Sequence, residues 1–236
     1  MAGKLLWWNT KRLGGTTSEA RKKAIAAISN GIEFDYQFFC ELCSAAEDPR
    51  WQNITYRKQS NSQLGYGCYD QNGAEYVLAR EDPPAGAPPG YAGFAGGNNF
   101  KNLVDRAPAY AVGPVGGVAV YIIHAPSTMN GAGGKRALSY LACHFMNIHG
   151  DNPWLIVGDF NVRPDDLGNP PAGFGARLGW NMAGLITPPD VDTYKGTFRN
   201  SKLDYVLSNG VAGVSVTVIR RSTRWSDHMP IVVEWT

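Results

Sequence analysis

The stretch Trp154-Leu155-Ile156-Val157-Gly158-Asp159-Phe160-Asn161-Val162-Arg163-Pro164 sets four apolar residues ahead of a glycine, then places two polar side chains, Asp159 and Asn161, two positions apart. A short continuous apolar run reads as a buried strand, and the polar pair falls where that strand meets its loop. Alternation along a strand would aim Asp159 and Asn161 to the same side. Strand ends are frequent seats of catalytic groups, because a rigid scaffold holds the side chains while the loop admits substrate. Gly, Asp and Asn are also the residues of a tight turn, so the rest of the chain has to separate the two readings.

Immediately upstream, Ala137, Leu138, Leu141, Ala142, Phe145 and Ile148 follow helical spacing and predict a helix over 133–149, closed by Gly150. Residues 117–123 form a β-prone run that ends at His124-Ala125-Pro126-Ser127, where Pro126 stops the strand. Nearer the start, an apolar strand over 4–9 ends in Asn9. It is followed by a helix with N-caps among 16–18, Glu19 in its first turn, an apolar face of Ala24, Ile25 and Ile28, and a stop at Asn30-Gly31. A strand over 34–42 then delivers Glu41. Strands are also expected over 51–59 and 75–80, with a polar, Gly-containing turn region between them, and over 203–207, 214–219 and 231–235. The Pro-, Gly- and Ala-rich segment 81–97 reads as a surface loop. Strands interleaved with helices, without an internal repeat, predict one domain spanning 1–236: an α/β fold built as a β-sandwich of mixed strands flanked by helices.

Composition narrows the function less than the motifs do. The 236 residues, 44% hydrophobic and 11% aromatic with seven tryptophans, are enough for a substantial core. The 22 basic and 20 acidic residues leave a net charge of +2, so contact with a polyanion has to come from a local patch. No run approaches the roughly 20 apolar residues of a membrane span, and the first residues are too short an apolar run for a signal peptide, so a soluble chain is expected. Cys40, Cys43, Cys68 and Cys143 lack the second Cys or His pair of a zinc site and read as free thiols. A Walker-type loop and a Gly-x-Ser-x-Gly elbow are both absent from the sequence.

The chemistry lies in what closes the strands. Asn9, Glu41, His124, Asp159, Asn161, Asp204 and the pair Asp227-His228 all fall at strand edges, a recurrence that turns alone do not explain. A hard divalent cation takes oxygen ligands and keeps several waters, so one or two carboxylates and a substrate phosphate suffice. Glu41 is the leading ligand candidate, and Asn9 either supplies an amide oxygen or holds Glu41. A carboxylate behind His228 would fix its tautomer and raise its basicity; both Asp227 and Asp204 are candidates for that partner. His144 and His149, on or beside the helix over 133–149, are assigned no role. Metal-assisted attack of water on a phosphate ester suits this residue set.

In order and spacing, Trp8-Asn9, Glu41, Arg106-Ala107-Pro108, His124-Ala125-Pro126-Ser127, Gly158-Asp159-Phe160-Asn161, Leu203-Asp204-Tyr205 and Ser226-Asp227-His228-Met229-Pro230 resemble the endonuclease/exonuclease/phosphatase superfamily, the group of deoxyribonuclease I. The resemblance covers nearly the whole chain. It implies a four-layer α/β/β/α sandwich, two mixed sheets packed face to face with helices outside, and a magnesium-dependent phosphodiesterase or phosphatase site at one edge, with manganese or calcium as alternative ions. It further implies that Glu41 binds the metal with Asn9 and Asp227, and that Asp159 and Asn161 orient the attacking water and the phosphate. His228, paired with Asp204, and His124 would serve as general acid/base and charge stabilisers, while Arg106 grips a phosphate oxygen.

Arg106-Ala-Pro and His124-Ala-Pro-Ser look similar to deoxyribonuclease I and to the B subunit of cytolethal distending toxin. By the same likeness Glu75 would support His124, and Tyr56-Arg57-Lys58 makes Arg57 a candidate DNA contact. DNA is the substrate this implies, cut by a monomeric catalytic unit that is either cytoplasmic or a delivered toxin domain. A phosphatase for phosphoinositides or other phosphate esters, and a catalytically silent binding module, are the competing readings. The sequence departs from the family at Cys40, where Gln commonly precedes the metal-binding Glu, and at Cys43, where deoxyribonuclease I carries a groove-contacting arginine.

Overall fold

The computed structural model describes residues 2–10, 28, 32–42, 51–59, 62–69, 78–80, 108–111, 114–125, 127, 132–167, 186–197, 200–220 and 226–236. They form two six-stranded sheets and a short two-stranded ribbon. In spatial order the first sheet runs β13 (Ser215–Val218), β14 (Ile231–Trp235), β1 (Gly3–Asn9), β2 (Tyr36–Leu42), β4 (Ser62–Tyr69) and β3 (Trp51–Gln59). The second runs β5 (Leu78–Arg80), β6 (Ala109–Ala111), β7 (Ala119–His124), β8 (Trp154–Asp159), β12 (Asp204–Asn209) and β9 (Ile186–Thr187). The ribbon pairs β10 (Tyr194–Lys195) with β11 (Asn200–Ser201). Both sheets are mixed: β1 runs parallel to β2 and β7 parallel to β8, while the other pairs are antiparallel.

Side-chain alternation sorts the strands into layers. Leu155 and Val157 of β8 join Val120, Ile122 and Val206 against Leu5, Trp7, Phe38 and Tyr66 of the first sheet, forming the core between the sheets. Trp154 and Ile156 point the other way, with Tyr121 and Ile123, against the only α-helix with defined bounds among the described residues, α1 (Ala132–His149). Its Leu138, Leu141, Ala142 and Phe145 cover that outer face. Buried on both sides, β8 has to be apolar at successive positions rather than at alternate ones, as the opening stretch is. On the far face Leu6, Trp8, Phe39 and Val232 pack with Phe34 and with Ile28, itself helical. The expected α/β sandwich is therefore the observed fold. No helix among the described residues is long and apolar enough to cross a membrane.

Most predicted elements appear within a few residues of their expected bounds. Gly150 ends α1 at φ +57, its N–H donating to Met146 O at 3.0 Å, a left-handed stop that glycine adopts without steric cost. The region between β3 and residue 75 holds a strand, β4, where a turn was expected. Gly65 and Gly67 lower its intrinsic strand preference, but β4 pairs with β2 on one side and β3 on the other, so ladder bonds from both neighbours hold it. The strand expected over 75–80 is described only as Leu78–Arg80. The helix around 16–30, apart from Ile28, and the loop over 81–97 lie outside the described residues. Cys40 is a thiol buried in the core between the sheets.

The topology gathers the polar strand ends at one edge. β1 closes with Asn9, β7 with His124 and β8 with Asp159, and Glu41 is the penultimate residue of β2. Asp204 begins its strand instead of ending it, but β12 is antiparallel to β8, so Asp204 sits opposite Asp159 in register. Gly158 has a steric reason to be glycine: a Cβ there would collide with the carbonyl oxygen of its register partner Ile123.

Candidate active site

Asp159 occupies the middle of that edge, only 1% exposed. Its Oδ2 accepts a hydrogen bond from Asn9 Nδ2 at 2.9 Å, and its Oδ1 accepts one from the Asn161 backbone N–H at 2.9 Å. Burial disfavours the charged carboxylate and pushes its pKa up to about 7, with the nearby Asp204 adding to the rise and His228 opposing it. His228 Nδ1–H donates to Asp204 Oδ2 at 2.7 Å. Asp204 is fully buried, and its Oδ1 accepts the indole N–H of Trp7 at 2.9 Å. Thr193 Oγ1 accepts the backbone N–H groups of both Leu203 and Asp204 at 3.0 Å, which anchors the start of β12. For His228 burial works against the imidazolium, but the Asp204 and Asp159 carboxylates outweigh it and hold the ring pKa up at about 9.

Two imidazoles face Asp159, His124 from the end of β7 in its own sheet and His228 from the segment that leads into β14 of the other. His228 Nε2 lies 3.7 Å and His124 Nε2 3.6 Å from Asp159 Oδ2, and His124 Nε2 lies 3.5 Å from Glu41 Oε1. These separations are longer than close hydrogen bonds. Tyr66, in the opposing sheet, fixes the His124 backbone by accepting its N–H at 2.8 Å. The backbone of His228 is fixed twice: its carbonyl accepts Trp8 Nε1–H at 2.9 Å, and its N–H donates to Ser226 Oγ at 3.0 Å. Ser226 Oγ in turn donates to the Asn9 carbonyl at 2.8 Å.

Backbone strain marks the same edge. Among the described residues only Glu41 (φ 58) and Asn161 (φ 52) have positive φ without being glycine, a conformation that costs energy and concentrates at functional sites. Glu41 sits in the irregular step between Phe39 and Leu42, where the β2–β4 register shifts. Asn161 corrects the strand-alternation expectation: β8 stops at Asp159, and Asn161 enters through a left-handed turn instead. The Asp159 side chain bonded to the N–H two residues on stabilises that turn, and Asn161 Nδ2 donates to the Ala125 carbonyl at 2.7 Å, tying it to the end of β7.

Of the residues singled out from sequence, Asn9, Glu41, His124, Asp159, Asn161, Asp204 and His228 are brought together. Of the two candidate partners for His228, Asp204 is the one on its Nδ1. Asp227, half-buried, follows Ser226 in the same turn, and its carbonyl accepts Lys195 N–H at 2.8 Å. Arg57 lies on β3, the outermost strand of the first sheet, with its side chain outside the described residues. Glu75 and Arg106 also lie outside them. His144 and His149 sit on α1 in the outer layer, His149 Nε2 lying 2.7 Å from Tyr121 OH. Sequence reasoning missed Trp7, Tyr66, Thr193 and Ser226, and also Tyr194, whose ring centre is 4.9 Å from that of His228.

Among the described residues, one group of acidic and histidine donors is close enough together to hold a metal ion. Ligand atoms of Asp159, Asp204 and His228 lie within 4.8 Å of one another, although both oxygens of Asp204 already accept hydrogen bonds. The set expected from the sequence is Glu41, whose side chain is 20% exposed, with Asn9 and Asp227. Hard oxygen donors on a partly open edge match what magnesium requires.

The model of the Endonuclease/Exonuclease/phosphatase family matches residues 7–228, nearly the whole chain. The chain belongs to the endonuclease/exonuclease/phosphatase family. Members of this family are typically hydrolases of phosphodiesters or phosphate esters and generally use a divalent metal. No curated protein matches the chain. Among solved structures, truncated TDP2 from Caenorhabditis elegans superposes with a TM-score of 0.59 at 16% identity, covering 100% of this chain and 97% of that one. Sphingomyelinase C from Streptomyces griseocarneus gives 0.61 at 18% identity, covering 100% of both chains. A family protein from Bacteroides thetaiotaomicron gives 0.58 at 17%, covering 100% of this chain and 97% of that one. At these identities the likeness is one of fold, and the fold alone does not choose among the family's substrates.

Proposed function

We propose that this protein is a magnesium-dependent phosphodiesterase, an endonuclease that hydrolyses DNA by metal- and histidine-assisted attack of water on the phosphate. The observation that carries this reading is the convergence on Asp159 Oδ2 of Asn9 Nδ2 at 2.9 Å, His124 Nε2 at 3.6 Å and His228 Nε2 at 3.7 Å. A carboxylate with a pKa of about 7 is poised to take a proton from water at neutral pH. An imidazolium held up to about 9 stays charged there and can stabilise a phosphoryl oxygen or protonate a leaving group. Two neighbouring groups whose pKa values are set apart in this way make an acid/base pair.

In this reading Asp159 is the general base and Asn161 orients the water and the phosphate. His228 is the acid and charge stabiliser, with Asp204 fixing its tautomer. His124, supported by Glu75, donates to a phosphate oxygen. Glu41, Asn9 and Asp227 would hold the magnesium ion, with manganese or calcium as substitutes. When bound, the ion supplies neutralisation of phosphate charge and a more acidic water. Arg106 would clamp a phosphate oxygen and Arg57 would touch the DNA backbone. DNA is favoured among phosphodiesters by the likeness of Arg106-Ala-Pro and His124-Ala-Pro-Ser to deoxyribonuclease I.

The test is a substrate panel with magnesium and with chelator: supercoiled plasmid, single-stranded DNA, RNA and a phosphoinositide. The expected result is magnesium-dependent nicking of plasmid, abolished by Glu41→Ala, Asp159→Ala, His124→Ala and His228→Ala. Hydrolysis of the phosphoinositide alone, or full nicking by all four variants, overturns the proposal.

A further inference from the structure

Among the described residues four tryptophans, Trp7, Trp8, Trp154 and Trp235, are fully or almost fully buried, and their indole N–H groups have different fates. The indole nitrogens of Trp154 and Trp235 are buried with no hydrogen-bond partner among the described residues, so these rings fill space. Trp7 and Trp8 both spend their N–H on the same pair of residues. Trp7 faces the core between the sheets and donates across it to Asp204 Oδ1 at 2.9 Å, a contact spanning 197 positions of sequence. Trp8, on the other face of β1, donates to the His228 carbonyl at 2.9 Å. Adjacent residues of one strand thus hold the two members of the Asp204–His228 pair from opposite directions.

We infer that Trp7 is a positioning residue of the hydrolytic centre: its indole N–H fixes the rotation of the Asp204 carboxylate and, through it, the ring of His228. The inference rests on the reading above, in which His228 takes part in the reaction. Asp204 is fully buried, so water does not satisfy its oxygens. Each oxygen has its own donor, Trp7 Nε1–H on Oδ1 and His228 Nδ1–H on Oδ2. An indole N–H only donates, so the arrangement cannot invert, and the carboxylate plane is set by the frame of β1. With that plane set, Nδ1 carries the proton and Nε2 faces Asp159 at 3.7 Å. Without the indole N–H, Oδ1 is left bare and the carboxylate is free to turn away from the imidazole. Because His228 would act on charge that develops in the transition state, the loss should fall on kcat more than on KM.

The decisive variants are Trp7→Phe and, to keep the bicyclic shape, benzothienylalanine at position 7, in which sulfur replaces the N–H. Trp235→Phe makes the same chemical change at a buried indole that holds nothing. On the substrate the panel identifies, both position-7 variants should lower kcat about 10- to 100-fold, as loss of a partner that orients a working histidine does, with KM within about twofold. Trp235→Phe should leave kcat within about twofold. In an Asp204→Asn background Trp7→Phe should add less than about twofold, since the carboxylate it orients is gone.

A readout independent of activity is the downfield proton resonance of His228 Nδ1–H, assigned with ¹⁵N-histidine. It should be sharp in the wild type and in Trp235→Phe, and broadened or lost in both position-7 variants. If no substrate is hydrolysed the functional reading fails, yet this resonance still reports whether Trp7 holds the pair. Wild-type kcat or an unchanged resonance in the benzothienylalanine variant overturns the inference. So does an equal fall in kcat in Trp235→Phe, or full additivity with Asp204→Asn.

Discussion

The second sheet carries a histidine hydrogen bond of 2.7 Å near each of its edges, and the two could hardly differ more in consequence. At the edge where β7 and β8 end, His228 Nδ1 meets a fully buried carboxylate, with a second carboxylate facing its other nitrogen. At the edge where those strands begin, His149 Nε2 meets the phenol of Tyr121, and its ring stacks on Phe145. That second edge also has a cavity of about 360 Å³, lined in part by Tyr110, Tyr121, His149, Asn152 and Pro153. What separates the edges is neither the histidine nor the hydrogen-bond length but charge withdrawn from water, together with the strained backbone at Glu41 and Asn161.

The largest contrast to test is therefore between the two histidines. His228→Ala should lower kcat by about 100- to 10,000-fold, the usual range for removing an acid/base group, while His149→Ala stays within about twofold. Comparable losses in steady-state assays of both variants would break the distinction between the edges. Next in size is the effect of pH. With Asp159 acting unprotonated near pKa 7 and His228 acting protonated near pKa 9, kcat/KM should rise through about pH 7 and fall through about pH 9. Asp204→Asn removes the largest of the influences raising His228, so it should draw the alkaline limb to lower pH. A profile measured across pH 5–10 whose alkaline limb does not move would detach Asp204 from the titration of His228.

How much of this could be read from the chain follows from how local each determinant is. β8, α1 and β1 declare themselves because their patterns are contiguous: a two-sided apolar run, a helical stripe closed by Gly150, and a strand stopped by Asn9. Asp159, Asp204, His124 and His228 were legible for the same reason, as polar residues bounding apolar strands. β4 was not, because its glycines depress local preference and only pairing on both sides makes it a strand. Asn161 was legible as a site residue but not by its route, since strand alternation does not announce a left-handed turn. Trp7 and Tyr66 were invisible because their partners, Asp204 and His124, lie 197 and 58 positions away and meet them only when the two sheets pack.

The smallest expected effect concerns stability, and its sign follows from the two raised pKa values. A group whose folded pKa lies above its unfolded one stabilises the fold below the unfolded value and loses that contribution as pH rises through the folded one. Asp159, raised from 3.8 to about 7, makes stability decline between about pH 4 and 7. His228, raised from 6.5 to about 9, extends the decline from about pH 6.5 to 9. The melting temperature, followed in metal-free buffer, should then fall through both windows, by roughly 2–4 °C for each kcal/mol lost in a chain of this size. Asp159→Asn should flatten the acidic window and leave a decline in the alkaline one, because Asp204, the largest influence raising His228, is still in place. His149→Ala should keep both windows. If Asp159→Asn retains the full decline between pH 4 and 7, the buried carboxylate at the centre of the edge is not the group that titrates there.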